Sequence, residues 1–153
     1  AAIELAAARS LAPYAPGPVL EETTEPGDFL EALNEGRLWV ADAEGKPVGF
    51  ALVEFLERGE RQVGGIDVHP AFQRRGIGRA LIREVLAWLA RSPWRRMTLT
   101  TFRNVPWNAP FYSAMGFQEL LHNDIPVALQ AVMDDEAARG LDPAERLAMV
   151  IEI

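Results

Sequence analysis

Between Ile66 and Leu89 the chain reads IDVHPAFQRRGIGRALIREVLAWL: a short apolar run, a His-Pro break, two arginines with two glycines, then a long amphipathic pattern. This junction constrains the fold more than any other stretch. Ile77, Leu81, Val85, Trp88 and Leu89 recur at spacings of three and four, which predicts a helix over 76–91 with one core-facing stripe, ended by Pro93. The first N–H groups of a helix have no partner inside it and carry the positive end of its dipole, so an anion seated there meets several donors at once. Gly76 and Gly78 place no side chain between such an anion and the backbone, and glycine accepts the positive φ of a tight entry. Arg74 and Arg75 add charge at the same spot in a chain whose formal net charge is −7. The plainer alternative is a tight turn with solvated arginines; Gln73, the arginine pair and the helix behind them favour an anion site.

Two familiar phosphate patterns are absent. A P-loop needs Gly-Lys-Ser/Thr after the glycines, and Arg79-Ala80 stand there instead. A dinucleotide fingerprint needs a third glycine where the chain has Leu81.

The flanking segments set the architecture. Residues 1–12 read as a helix ending before Pro13, and Pro13 to Gly27 as a loop long enough to suspect a role in function. Residues 28–36 suggest a short helix capped by Asp28 or a neighbour and stopped by Gly36. Two strands joined by a turn at 43–46 follow, then a third strand bulged at Gly64-Gly65. After the long helix come a strand at 95–102, a short helix at 108–115 with Asn108 as N-cap, a strand at 117–121, a helix at 124–140 with Pro126 in its first turn, and a final strand at 145–153. The expected class is α/β in the α+β sense: one domain over 1–153 with a mixed, largely antiparallel sheet flanked by helices.

Composition narrows the function. There is no cysteine, so disulfides, thiolate metal sites and a cysteine nucleophile are excluded. His69 and His122 stand far apart and read as turn and loop residues, so no metal site is expected. The acidic balance speaks against nucleic acid and favours a cationic partner. No apolar run is long enough to span a bilayer and no leader pattern is visible, so the expected setting is cytoplasmic and away from membranes.

VHPAFQRRGIGRALI followed by NVPWNAPFYSAMGF resembles the GNAT superfamily of acyl-CoA-dependent N-acetyltransferases. Gln73 to Gly78 fits the family's Gln/Arg-x-x-Gly-x-Gly/Ala loop, and Phe111-Tyr112 with Gly116-Phe117 fits its Phe-Tyr-x-x-x-Gly-Phe turn. The order of elements agrees over nearly the whole chain. The resemblance implies a GNAT-like sheet splayed between the strand ahead of the glycine loop and the strand MTLTTF. It implies that Gln73, Arg74, Arg75, Gly76, Ile77, Gly78 and Arg79 hold the pyrophosphate of acetyl-CoA (coenzyme A), and that Ile66, Asp67 and Val68 run beside its pantetheine arm. Asn104 or Asn108 would bind the same arm, with a helix cap as the equal alternative for Asn108. Tyr112 would lie at the thioester as proton donor to the departing thiolate. A phenol has an ordinary pKa of about 10, so it holds its proton at neutral pH.

The sequence departs from the family in two places. The carboxylate usual on the strand before the loop is replaced by Gly64-Gly65, which leaves Asp67 and Glu54 as candidate bases. Strand alternation puts Asp67 opposite Ile66 and Val68; structural roles serve both acids equally well. The family's fold usually begins with a strand, and here the chain starts in the helix, so that strand lies before residue 1 or is lacking.

The expected activity is transfer of an acetyl group to a primary amine on a small molecule or peptide, without an acyl-enzyme. A non-catalytic acyl-CoA-binding regulatory module and an enzyme for a longer acyl group are the alternatives. The acceptor would be set by the loop at 12–26 and by the insertion at 124–142, whose helix offers a lid or a homodimer contact. Glu21, Glu22 and Glu25 in that loop, with Asp28 after them, suggest a cationic acceptor.

Overall fold

The computed structural model describes residues 1–153. In chain order the elements are α1 (Ala2–Ala8), α2 (Gly17–Leu20), α3 (Pro26–Asn34), β1 (Leu38–Ala43), β2 (Lys46–Phe55), β3 (Arg61–Val68), α4 (Ile77–Arg91), β4 (Arg96–Phe102), α5 (Ala109–Ala114), β5 (Gln118–Glu119), α6 (Val127–Ala138) and β6 (Arg146–Glu152). The six strands form one sheet in the order β1-β2-β3-β4-β6-β5. Every neighbouring pair is antiparallel except β3 with β4. This is the mixed, largely antiparallel sheet expected.

α4 packs on one face. Leu81, Ile82, Val85 and Leu89 are buried against Val53, Val63, Met97, Leu99 and Met149 of the strands, and Ile77 and Trp88 are partly covered at the margin. The opposite face carries Phe50 and Leu52 beneath Ala32 of α3, with Ile3 and Phe29 beside them. α6 lies on this second face, where Thr100 donates to Glu136 at 2.6 Å; Thr100 points away from Leu99, which faces α4.

Two features of the sheet prepare the site. The β2–β3 register slips between Leu52 and Val53, so Leu52 faces Gly65, Val53 faces Val63, and Gly64 is the unpaired extra residue of the expected bulge. The β3–β4 ladder consists of one pair, Gln62 with Thr98, supported by the Thr98 hydroxyl donating to the Arg61 carbonyl at 2.9 Å. Beyond that pair the strands part.

Several boundaries differ from the sequence reading. α3 starts at Pro26 with Glu25 as N-cap, so Asp28 is a first-turn residue; proline at a first helical position needs no partner for an N–H and already has helical φ. The proline-rich segment is not all loop, because residues 17–20 close one helical turn. The first helix tightens to a 3₁₀ turn at Arg9–Leu11. Gly76 and Pro126 are the N-caps of α4 and α6 and lie just outside the helices. β5 is two residues long.

Candidate active site

The chain enters α4 through a short left-handed passage. Arg74 has φ 61 and Gly76 φ 82, so the backbone reverses sharply before Ile77. The first backbone donor used at the helix start is Ala80, bonded to the Gly76 carbonyl at 2.9 Å. The N–H groups of Arg74, Arg75, Gly76, Ile77, Gly78 and Arg79 have no acceptor within the protein. Gln73 caps the other end of the passage by donating to the Val68 carbonyl at 3.0 Å, which ties the loop to the end of β3. The Arg75 guanidinium stacks over the Phe72 ring, 5.2 Å from its centroid.

Of the residues that bear these free N–H groups, all except Arg75, which lies to the side against Phe72, line a cavity of about 510 Å³. Arg74, Gly76, Gly78 and Arg79 form one end, Ile66, Asp67 and Val68 the side, and Asn108, Phe111 and Tyr112 of the α5 region the opposite wall. Ala7, Ser10 and Leu11 close it from the α1 side. The parting of β3 from β4 therefore exposes one edge of β3 to a groove that leads straight to the free N–H groups of α4. The site suits a long ligand with an anionic end: donors and guanidinium groups at one end, an unladdered strand edge along the middle, and an aromatic wall.

At the far wall the Tyr112 hydroxyl has no hydrogen-bond partner in the protein. Loss of water and the nearby Asp67 carboxylate push its pKa up from the phenol value, so it holds its proton firmly at neutral pH. Asp67 is itself pushed up to about 7, first by burial and then by the negative charge of Glu4. It is thus poised between its two forms near neutrality, the condition suited to proton exchange. Glu4 is held by Thr24, whose N–H and hydroxyl donate to it at 2.8 and 2.6 Å.

The asparagines separate. Asn108 occupies the N-cap position of α5 but makes no side-chain capping bond, and it lines the cavity. Asn104 donates to Glu145 at 2.6 Å, fastening the loop after β4 to the approach of β6, and it is not among the cavity residues. His69 accepts from the Ala71 N–H at 3.1 Å, the turn role expected. No group of carboxylates and histidines is arranged to hold a metal ion.

Glu54 lies outside this cavity. It borders a second one, of about 560 Å³, between the start of β3 and α6. Gln62 and Gly64 of β3, Thr100 of β4, Arg146 of β6 and Asp135, Glu136 and Arg139 of α6 complete the lining. Glu136 and Arg146 form a buried pair at 2.9 Å, with Thr100 bonded to both. Sequence reasoning missed this pair, because α6 carries no contrast of apolar and polar faces that would mark Glu136 as inward.

The acetyltransferase (GNAT) domain family matches residues 34–119, more than half of the chain and all of the loop and turn just described. The chain belongs to the GNAT acetyltransferases. Solved structures agree on the fold. The N-acetyltransferase paiA of Thermoplasma acidophilum, solved with coenzyme A, superposes with a TM-score of 0.73 at 11% identity, covering 99% of this chain and 89% of that one. The Rv2747 protein of Mycobacterium tuberculosis, also in complex with CoA, gives 0.63 at 23% identity, covering 98% and 94%. The N-acetylglutamate synthase of Neisseria gonorrhoeae gives 0.70 at 12% identity; the match covers 99% of this chain but spans about a third of the synthase, 32%. No helix of this member is long and apolar enough to cross a membrane.

Proposed function

We propose that this GNAT domain, with the whole of residues 1–153 acting as one unit, binds acetyl-CoA in the 510 Å³ cavity and transfers the acetyl group directly to a primary amine in the cytoplasm. The observation that carries the reading is the unbroken run of free N–H groups from Arg74 to Arg79 at the head of a groove that ends at an unpartnered tyrosine. Acetyl-CoA supplies an activated acyl carbon and a thiolate leaving group. Arg74, Arg75 and Arg79, with the N–H groups at the start of α4, hold the diphosphate; the bare edge of β3 at Ile66 to Val68 orients the arm as an added strand. Asn108 offers a side-chain amide to the same arm. Tyr112 donates its proton to the sulfur. Burial, and then the negative charge of Asp67, keep that phenol protonated at neutral pH.

The acceptor is an amine that enters from the face bearing α6. Glu22, from the proline-rich segment, pairs with Arg139, which lines the second cavity, and this supports a role for that segment at the entrance. Turnover of acetyl-CoA with a panel of primary amines, read by release of free thiol, tests the reading. Tight binding of acetyl-CoA with no thiol released on any amine would overturn transfer and leave a binding module.

A further inference from the structure

Two arginines line the second cavity, and they are held differently. Arg139 stands near the surface, where Asp135 at 2.9 Å and Glu22 both pair with it. The Arg146 side chain is only 10% exposed and is gripped from several sides. Its Nε and Nη2 donate to the two oxygens of Glu136 at 3.1 and 2.9 Å, and Nη2 donates also to the Thr100 hydroxyl at 3.1 Å. Its guanidinium carbon lies over the ring of Phe102, its partner in the β4–β6 ladder, 4.5 Å from the centroid. Nη1 makes no hydrogen bond within the protein, yet it is not sealed away like the buried atoms that lack a partner. It is the one nitrogen of this fixed guanidinium left for a ligand in the cavity.

The surroundings of Nη1 are already rich in negative charge. Glu136 matches Arg146, and Asp135 with Glu22 more than matches Arg139. Glu54 has no cation beside it; its one partner is the Gln62 amide at 2.6 Å, and it lies over β3 where a Cβ on Gly64 would overlap its carboxylate. A ligand carboxylate brought to Arg146 would enter this field unmatched, whereas a neutral carbonyl oxygen needs only the N–H that Nη1 offers. By the cofactor reading above, the cavity also adjoins the thioester. Gly64, in its wall, stands two residues before Ile66 of the cofactor groove, some 7 Å at about 3.3 Å per strand residue. Tyr112, whose pKa is raised first by burial and then by Asp67, feels the Arg146 charge in the opposite sense.

We infer that Arg146 selects the acceptor: its Nη1 donates to a neutral carbonyl oxygen carried a short distance from the amine, as in an amino acid amide or the first residue of a peptide. This rests on the acetyl-transfer reading above and adds to it a specificity residue and a feature of the acceptor other than its amine. Hydrogen bonds from a charged donor are about twice as strong as neutral ones, and a donor already held in place gives up little freedom when the ligand arrives. Glu136, Thr100 and Phe102 act through the guanidinium, as positioning residues. A simple alkylamine offers Nη1 no oxygen and forgoes that bond.

The test needs no known acceptor. Thioethers of coenzyme A that share the linkage CoA–S–CH2–CO–NH carry an acceptor-like end: glycinamide or the longer β-alaninamide, their carbonyl-free counterparts n-propylamine and n-butylamine, and glycine with its free carboxylate. Calorimetry on the full chain is expected to show one of the two amides bound about tenfold or more tightly than its alkyl counterpart, the gain of a charged hydrogen bond, and the glycine compound bound more weakly than the glycinamide one. Arg146→Lys keeps a charge for Glu136 but has a single nitrogen; it is expected to remove the amide preference while still binding coenzyme A, which also shows that it is folded. Arg146→Gln combined with Glu136→Gln strands no charge and is expected to behave alike, so a lysine variant that fails to fold does not end the test. A wild-type protein without the preference, a folded variant that keeps it, or tighter binding of the glycine carboxylate than of glycinamide would each overturn the inference, as would a wild type that binds coenzyme A but none of the thioethers. Failure of wild type to bind coenzyme A itself would instead remove the cofactor reading, and the inference with it.

Discussion

The cavity at the start of α4 takes most of its lining from one continuous stretch, residues 66–79, and offers mainly backbone groups. The cavity under α6 is assembled from β2, β3, β4, α6 and β6 and offers side chains. Backbone donors depend on the local path of the chain, so the first site tolerates many residue types provided the glycines stay. Side-chain sites depend on distant packing, so the second is free to vary in chemistry on an unchanged frame. A cofactor common to a family and an acceptor particular to each member call for this division.

The largest effect is expected where the second cavity depends on one buried ion pair. Glu136→Leu strands the Arg146 charge, and removing one partner of a buried pair costs about 3–5 kcal/mol. Urea unfolding should show a loss of that size. A loss below about 1 kcal/mol would mean that α6 is held by its apolar contacts, chiefly Leu129, and that the two cavities do not differ in this way.

Gly76→Val attacks the first cavity through its backbone. A Cβ there meets nothing within 4 Å, so the fold has room, but a branched residue at φ 82 is strained and shields the N–H groups. Each lost charged hydrogen bond is worth about 1.5–3 kcal/mol, so coenzyme A affinity should fall by about a hundredfold or more while circular dichroism stays native. Equal affinity in variant and wild type would place the diphosphate elsewhere.

Tyr112→Phe sharpens the contrast between holding and reacting. A lost proton donor should lower turnover by about a hundredfold and leave acetyl-CoA affinity nearly unchanged. If affinity falls as much as the rate, the ring is a wall of the groove and no more.

A fourth test reads the pH dependence of stability at Asp67. Its folded pKa of about 7 lies above the ordinary 3.8, so the folded state favours the protonated form. The stability this contributes is present below the ordinary value and is lost as pH rises through about 7. Asp67→Asn removes the titration. Its melting temperature, relative to wild type, should therefore rise between pH 4 and pH 8. A constant difference across that range would show that Asp67 is not desolvated.

Much of this was legible in the sequence, for reasons of range. The glycine–arginine loop, the helix behind it and the Phe-Tyr turn are each encoded in one continuous stretch, the longest being the 15 residues of α4, and each stands where expected. Glu54 was singled out because a carboxylate is unexpected in GFALVEFLE, but its place over Gly64 depends on a strand pairing and a bulge that no local pattern displays. Asn104 and Asn108 looked interchangeable until tertiary contacts tied Asn104 to Glu145, forty-one residues away. Asp28 lost the cap because Pro26 and Glu25 compete two and three residues earlier, a balance that residue preferences alone do not settle.

The lone Gln62–Thr98 pair also has a mechanical meaning. Six and seven pairs lace β1-β2-β3, and seven lace β4 to β6 with β5 added by two, whereas the seam between the halves has one rung, one threonine hydroxyl and the side chains packed beneath α4. Shear between the two halves breaks almost no backbone bonds. The sheet behaves as two stiff plates on a compliant joint, and a guest strand inserted along the bare edge of β3 would brace the plates against each other.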